Sequence, residues 1–280
     1  MVRTREGGLS TGERRVARAL LADYPTAGLE TVRLLAERAG VSGPTVLRFV
    51  SRLGFESYPA FQRRLLDELG ERERSPLQAY TSSHSGEPRD TGGADLPGTA
   101  ARVLSEAVRT TLEGLPAFEL GEAVRLLSEP EHRIVSWGGR FSRLQSHYLV
   151  LHLMQIRGRA VALPDTPVER ADLLSEAGRK DVFVVFDFRR YEAWSLKAAE
   201  EVSRREAKVV LVTDRWLSPI SAVADVVLPV HVDSVSAYDS QVPVTAVCEV
   251  LVAGVMDSLE GLAEGRMRRF EEASRTFGLL

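Results

Sequence analysis

Two arginines, Arg48 and Arg52, stand four residues apart in a segment that begins Ser42-Gly43-Pro44-Thr45. On a helix that spacing puts Thr45, Arg48 and Arg52 on one side, opposite an apolar stripe. A guanidinium placed there takes a guanine edge through two hydrogen bonds or holds a phosphate. Hydroxyls such as those of Ser42 and Thr45 sit at the helix start, where base contacts concentrate. Arginines opposite an apolar stripe are also what an ordinary solvated surface looks like, so their setting has to decide. Arg38, Arg63 and Arg64 lie on neighbouring segments and suit backbone phosphates, which position a protein without specifying sequence.

A second set lies in the other half of the chain. Trp137-Gly138-Gly139-Arg140-Phe141-Ser142 follows an apolar run, Asp187-Phe188-Arg189-Arg190 another, and Thr213-Asp214 a third. Glycines allow close backbone approach, and the start of a following helix offers amides to an anion. Gly138, Gly139, Arg140, Ser142, Asp187, Arg189, Arg190 and Thr213 are therefore the expected small-molecule contacts. No GxGxxG or GxxxxGK[ST] occurs, which leaves dinucleotide and nucleoside-triphosphate binding without support. His84, His132, His147, His152 and His231 show no metal spacing, so neither a metal nor a cofactor is expected. Cys248, between Val247 and Val250 in an apolar helix, reads as buried filler.

The elements that carry these residues follow from periodicity. Ser10 and Glu13 have capping-box spacing ahead of Val16, Ala17, Leu20 and Leu21. A second helix runs from about Glu30, and Gly40-Val41-Ser42 makes a short turn. Ser42 is placed to cap a third helix, in which Val46, Phe49, Val50 and Leu53 fall at i, i+3, i+4 and i+7 until Gly54 stops it. A fourth starts near Pro59. Helix, glycine turn, helix is a helix-turn-helix, with the third helix as its reader.

Residues 75–98 are rich in Ser, Gly and Pro and are expected to be a linker between a head, 1–74, and a second domain, 99–280. Beyond it the apolar runs 134–136, 160–163, 182–186, 209–212 and 226–230 alternate with helical segments 140–157, 168–177, 192–206 and a short 218–223. That alternation predicts an α/β fold with a doubly wound parallel sheet. A last long helix, 245–269, closes the chain. Val247, Leu251, Val255 and Leu262 lie near one stripe of it, which faces either an oligomer partner or its own sheet.

The head carries 13 Lys/Arg against 10 Asp/Glu and the remainder 23 against 29. With a pI near 6.0, this balance argues against non-specific coating of DNA. One cysteine cannot staple a fold, no uninterrupted run of 18 apolar residues occurs, and Met1-Val2-Arg3-Thr4-Arg5 leads into a charged helix. These features predict a cytoplasmic protein with no membrane partner.

At this point the chain resembles the RpiR/MurR family of bacterial transcription regulators, which join a helix-turn-helix to a SIS (sugar isomerase) domain. The most specific piece is LLAERAGVSGPTVLRFVSRLGFESYPAFQRRL, residues 34–65. AKVVLVTDRWLSPISAVADVVLPV, residues 207–230, is similar to the second half of a SIS domain. The likeness covers nearly everything but the linker. It implies a homodimer or homotetramer built through the SIS domain, a small sugar-derived effector (a sugar phosphate or another anionic derivative) and double-stranded DNA as partner. Two symmetric heads then predict a palindromic operator with half-sites about 34–36 Å apart or a multiple of that.

One departure matters. SIS domains that bind phosphosugars usually carry S-x-S-[GS] after the third strand, where this chain has Asp187-Phe188-Arg189-Arg190. A carboxylate repels a phosphate of charge about −1.5 to −2. Three readings stay open: Arg140, Arg189 and Arg190 form a replacement anion site; Asp187 holds sugar hydroxyls or an amine; or the domain binds nothing and only dimerises. The competing class is an aldose–ketose isomerase with an accessory head. It needs a base; Glu169 and His231 are expected in loops of the sheet region, and nothing in the sequence fixes either near a substrate, so no catalysis is expected.

Overall fold

The computed structural model describes residues 9–84 and 95–279, and the chain divides into two compact units, 1–74 and 75–280. The start of the chain, 1–8, and residues 85–94 of the expected linker lie outside the described residues.

The head is helical. α1 (Thr11–Ala22) opens on a full capping box: the Ser10 hydroxyl accepts from the Glu13 amide at 3.3 Å, and the Glu13 carboxylate accepts from the Ser10 amide at 2.7 Å. After the single turn of α2 (Thr26–Leu29), α3 (Val32–Ala39) is capped by Thr31 and ends at Gly40, whose φ of +61° lies in the left-handed region. The amides of Gly40 and Val41 close back on Glu37 and Ala36, which reverses the chain within three residues. α4 (Gly43–Arg52) and α5 (Tyr58–Glu73) complete the unit. Val46, Phe49, Val50 and Leu53 are buried with Val16, Leu20, Leu35, Phe61 and Leu65 in one core. The Tyr58 hydroxyl donates to the carbonyls of Gly28 and Glu30, tying α5 to the segment around α2.

The second unit begins with helix where linker was expected. α6 (Pro76–His84) starts at a reciprocal Ser75–Gln78 pair, and α7 (Leu96–Gly114) begins within the expected linker's last residues. Ser75 supplies the same start signal as Ser10, and it outweighs the low apolar content. α8 (Ala117–Ser128) leads into β1 (Arg133–Gly138), α9 (Arg143–Ile156), β2 (Ala160–Ala162), α10 (Pro167–Ser175), β3 (Asp181–Asp187), α11 (Ala193–Arg204) and β4 (Lys208–Asp214). A 3-10 turn (Pro219–Ala222), β5 (Val226–Val230), α12 (Val242–Leu259) and α13 (Gly261–Thr276) follow.

All four strand pairings are parallel and the order is β2-β1-β3-β4-β5. Alternate strand residues enter two cores. Val182, Val184 and Phe186 pack with Leu149, Leu153, Val247 and Leu251 on one face, and Phe183 and Val185 pack with Ala199 and Val202 on the other. Burial on both faces is why the strands read as continuous apolar runs. At the β5 edge the Glu119 carboxylate accepts from the Val227 amide, blunting an exposed row of donors.

The long closing helix is two helices. The chain breaks at Glu260, with φ of +43°. Val247, Leu251 and Val255 are fully buried against their own sheet, so that stripe is core rather than an oligomer face, and only Leu262 of the four is exposed. Among the described residues α12 is the one helix long and apolar enough to cross a membrane by length and composition. The same burial accounts for its apolar character. Cys248 lies within it, its thiol pushed up to about 12 by burial.

Candidate functional site

In the head, the turn at Gly40 sets α4 so that its apolar residues face inward. The opposite stripe is Pro44, Leu47, Arg48 and Ser51, again at i, i+3, i+4 and i+7, and all four are exposed. This differs from the expected face in two ways. Thr45 is half-buried: its methyl lies 3.0 Å from where a Cβ on Gly12 would stand, so it packs beside α1. Arg52 lies 3.5 Å from the Glu13 carboxylate. The Ser10 amide is the largest influence holding Glu13 below its ordinary carboxylate pKa, and Arg52 and Arg48 add to it.

Ser42, Thr45 and Arg48 are brought together. The Arg48 guanidinium donates to the Thr45 hydroxyl at 3.1 Å, which lies 3.0 Å from the Ser42 hydroxyl. Ser42 thus occupies the cap position of α4 without a side-chain cap bond, because its hydroxyl is engaged with Thr45. Arg38, an expected phosphate contact, is half-exposed and pairs with Glu30 at 2.6 and 2.9 Å and with Asp23 at 3.2 Å. Arg63 and Arg64 are exposed on α5. Leu47 and Ser51 were not among the expected contacts, which were polar and charged residues centred on Thr45, Arg48 and Arg52.

In the second unit, the strand order puts the switch point between β1 and β3, where ligands bind beyond the strand ends in open parallel sheets. The loops there hold most of the expected residues. Gly138 is required: a Cβ on it would stand 2.6–2.7 Å from backbone atoms of Ser142 and Arg143. The buried Ser142 hydroxyl accepts from the Gly139 amide and donates to the Phe186 carbonyl, both at 2.9 Å. It is a strut between β1 and β3, and the amides of Arg143 and Leu144 already serve the first turn of α9.

At the ends of β3 and β4 the donors converge on two carboxylates. Asp187 accepts from the Ser218 hydroxyl at 2.5 Å and from the Glu192 amide. Asp214 accepts from the Arg189 amide at 2.5 Å, the Tyr191 hydroxyl at 2.8 Å and the Trp216 amide at 2.9 Å. Thr213, fully buried, accepts from the Ser218 amide. Burial pushes Asp187 up to about 6, with Asp214 and Glu192 adding and the Ser218 bond opposing; burial also raises Asp214.

The expected three-arginine anion site is not assembled as such. The Arg189 guanidinium forms a two-pronged pair with Asp239, one arm at 2.7 Å, both side chains nearly buried, and lies 5.5 Å over the Trp216 ring. Arg140 and Arg190 are exposed on the β1 and β3 loops. Asp214, Asp239, Tyr191 and Ser218 were missed as organising residues; acidic residues ending two adjacent apolar strands were the available signal. In the first turn of α9 the Gln145 side-chain oxygen and the Ser146 hydroxyl, and at the cap of α12 the Gln241 side-chain oxygen, are buried without a hydrogen-bond partner. Glu169 lies in the first turn of α10, bonded to Thr166 at 2.5 Å, and not in a loop. His231 follows β5, 3.9 Å from Asp233. Among the described residues no group of three metal-ligating side chains occurs.

Comparison with known proteins extends this picture. Residues 1–72 match the helix-turn-helix domain of the rpiR family, and residues 127–254 match the SIS domain. The chain is 26% identical over 213 residues to the uncharacterized HTH-type transcriptional regulator YfhH of Escherichia coli K12, covering 76% of this chain and 73% of that one. It shares a fold with the Vibrio vulnificus NanR protein complexed with ManNAc-6P, at a TM-score of 0.56 and 19% identity over 99% of this chain and 97% of that one. It is also similar to the sugar isomerase domain of an RpiR transcription factor from Sphaerobacter thermophilus. There the TM-score is 0.59 and the identity 22%, over 63% of this chain and 98% of that one.

Proposed function

We propose that this chain, which joins a helix-turn-helix domain of the rpiR family to a SIS domain, is a sequence-specific DNA-binding transcription regulator tuned by a sugar-derived metabolite. One observation carries the DNA reading: the Gly40 turn presents α4 with its apolar side in the core and Arg48 on the outward stripe. A helix so mounted enters the major groove while neighbouring basic side chains hold phosphates.

The effector is a sugar phosphate or another anionic sugar derivative, seated at the β1/β3 switch point. The support is the fold shared with NanR, a protein that holds ManNAc-6P, and the exposed Arg140 and Arg190 on the two loops that border the switch point. Asp187 and Asp214 already take the donors at the ends of β3 and β4, so the anion is met at the rim. That same saturation favours a second reading, in which the SIS domain only dimerises. Catalysis is not part of the proposal: Glu169, in the first turn of α10, is bonded to Thr166, and the reading rests on the helix-turn-helix head. The molecule acts as a cytoplasmic homodimer or homotetramer on a palindromic operator.

Selection of genomic fragments by the pure chain, followed by sequencing, tests this. Enrichment of one motif with two-fold symmetry is the expected result. Uniform recovery of fragments contradicts it. In the same samples a melting-temperature screen against sugar phosphates and sugar acids separates the two readings of the SIS domain.

A further inference from the structure

We infer that Leu47, with Pro44 beside it, reads the 5-methyl group of a thymine in each operator half-site; this rests on the DNA-binding reading above. α4 has the sequence GPTVLRFVSR and contains no acidic residue. Its inward stripe is fully used by the core, and its outward stripe is not uniformly polar. Leu47 stands at the middle of that stripe, 47% exposed, between Pro44 and Arg48. The head covers part of this apolar side chain, which lines a shallow pocket with Val50, Phe55 and Pro59, and leaves about half of its surface in water.

Arg48 on the same stripe supplies the cation that draws a polyanion, while Arg52, one turn later, is shared with Glu13 and Glu56 stands beside the Leu47 pocket. On the floor of the major groove the base edges present donors, acceptors and one apolar group, the thymine methyl. A leucine neither donates nor accepts. Pressed against the polar edge of guanine, cytosine or adenine, it would strip water from that edge and leave it unpaired, at a cost. Against a thymine methyl it buries apolar surface on both sides. Leu47 thus discriminates by exclusion as well as attraction, and the adjacent Arg48 takes a guanine edge. The half-site is predicted to hold a thymine next to the guanine that Arg48 contacts.

The full chain is first used to select its preferred duplex from a random pool. Each thymine of the half-site is then replaced in turn by 2′-deoxyuridine, which removes only the methyl, and affinity is read by fluorescence anisotropy. For the wild-type chain, at least one position per half-site is expected to lose about four-fold in affinity, the worth of one buried methyl. Leu47→Ala is expected to bind the thymine and uracil duplexes equally at that position, with cooperative unfolding retained because Leu47 is only half covered. Indifference of the wild type to uracil at every position overturns the inference, as does a penalty that persists in Leu47→Ala. Failure to select any preferred duplex overturns the DNA-binding reading itself, a result distinguishable from the other two.

Discussion

Asp187 is the residue at which sequence and structure meet most sharply. Its type, where a serine is usual, already implied repulsion of a phosphate, but not that it would organise the loop by accepting from Ser218 and Glu192. Burial raises its folded-state pKa from the ordinary 3.8 to about 6, so the native chain holds that proton more tightly than the unfolded chain. The stability this contributes is complete below pH 3.8 and is lost as pH rises through about 6. Asp214 shifts in the same direction for the same reason. Asp187→Asn removes the charge and keeps an acceptor for Ser218. Above pH 7 the variant is expected to match or exceed the wild type in stability, by order of 1–3 kcal/mol, and near pH 4 to lose that advantage. Thermal melts of both proteins between pH 4 and 8 check this. The commitments of Arg38 and Arg189 were invisible in the sequence, because Asp23, Glu30 and Asp239 are brought to them only by the fold.

Elements were legible in proportion to how local their signals are. The Ser10 capping box, the Gly40 turn and the apolar runs of β1, β3, β4 and β5 are each written within a few residues. α7 and α8 were missed, since Ala107, Thr111, Leu126 and Leu127 are buried by packing rather than announced by a cap. The break at Glu260 is marked by Gly261 beside it, a stop signal that the continuing periodicity of the segment hides. Two glycines separate backbone need from packing need. At Gly40 the φ is positive and a Cβ would meet nothing, so Gly40→Ala is expected to cost about 1 kcal/mol from backbone strain alone. At Gly138 a Cβ would collide with the backbone of the next turn, so Gly138→Ala is expected to cost about 1–3 kcal/mol and to displace the β1 loop. Denaturant unfolding monitors both.

At the scale of the whole molecule, each unit has its own core: the head, with α4 as its proposed reader, and a parallel sheet whose switch point is the proposed ligand site. The division was legible because the composition changes near Ser75. The start of the second unit was not, because helix occupies residues at both ends of the expected linker. An effector shifts DNA occupancy only through different affinities for two arrangements of the molecule, so control by the SIS domain requires that both arrangements be populated. The central claim is more basic. It is tested most directly by the affinity of the pure chain for a selected duplex and for a scrambled one, across a salt series, for the wild type and Arg48→Ala. The expected result is a linear fall of log affinity with log salt, with the selected duplex bound at least about 1,000-fold more tightly than the scrambled one. Arg48→Ala should cost about 1–3 kcal/mol on the selected duplex and far less on the scrambled one. Equal binding of the two duplexes by the wild type, or equal weakening of both by Arg48→Ala, would contradict the account.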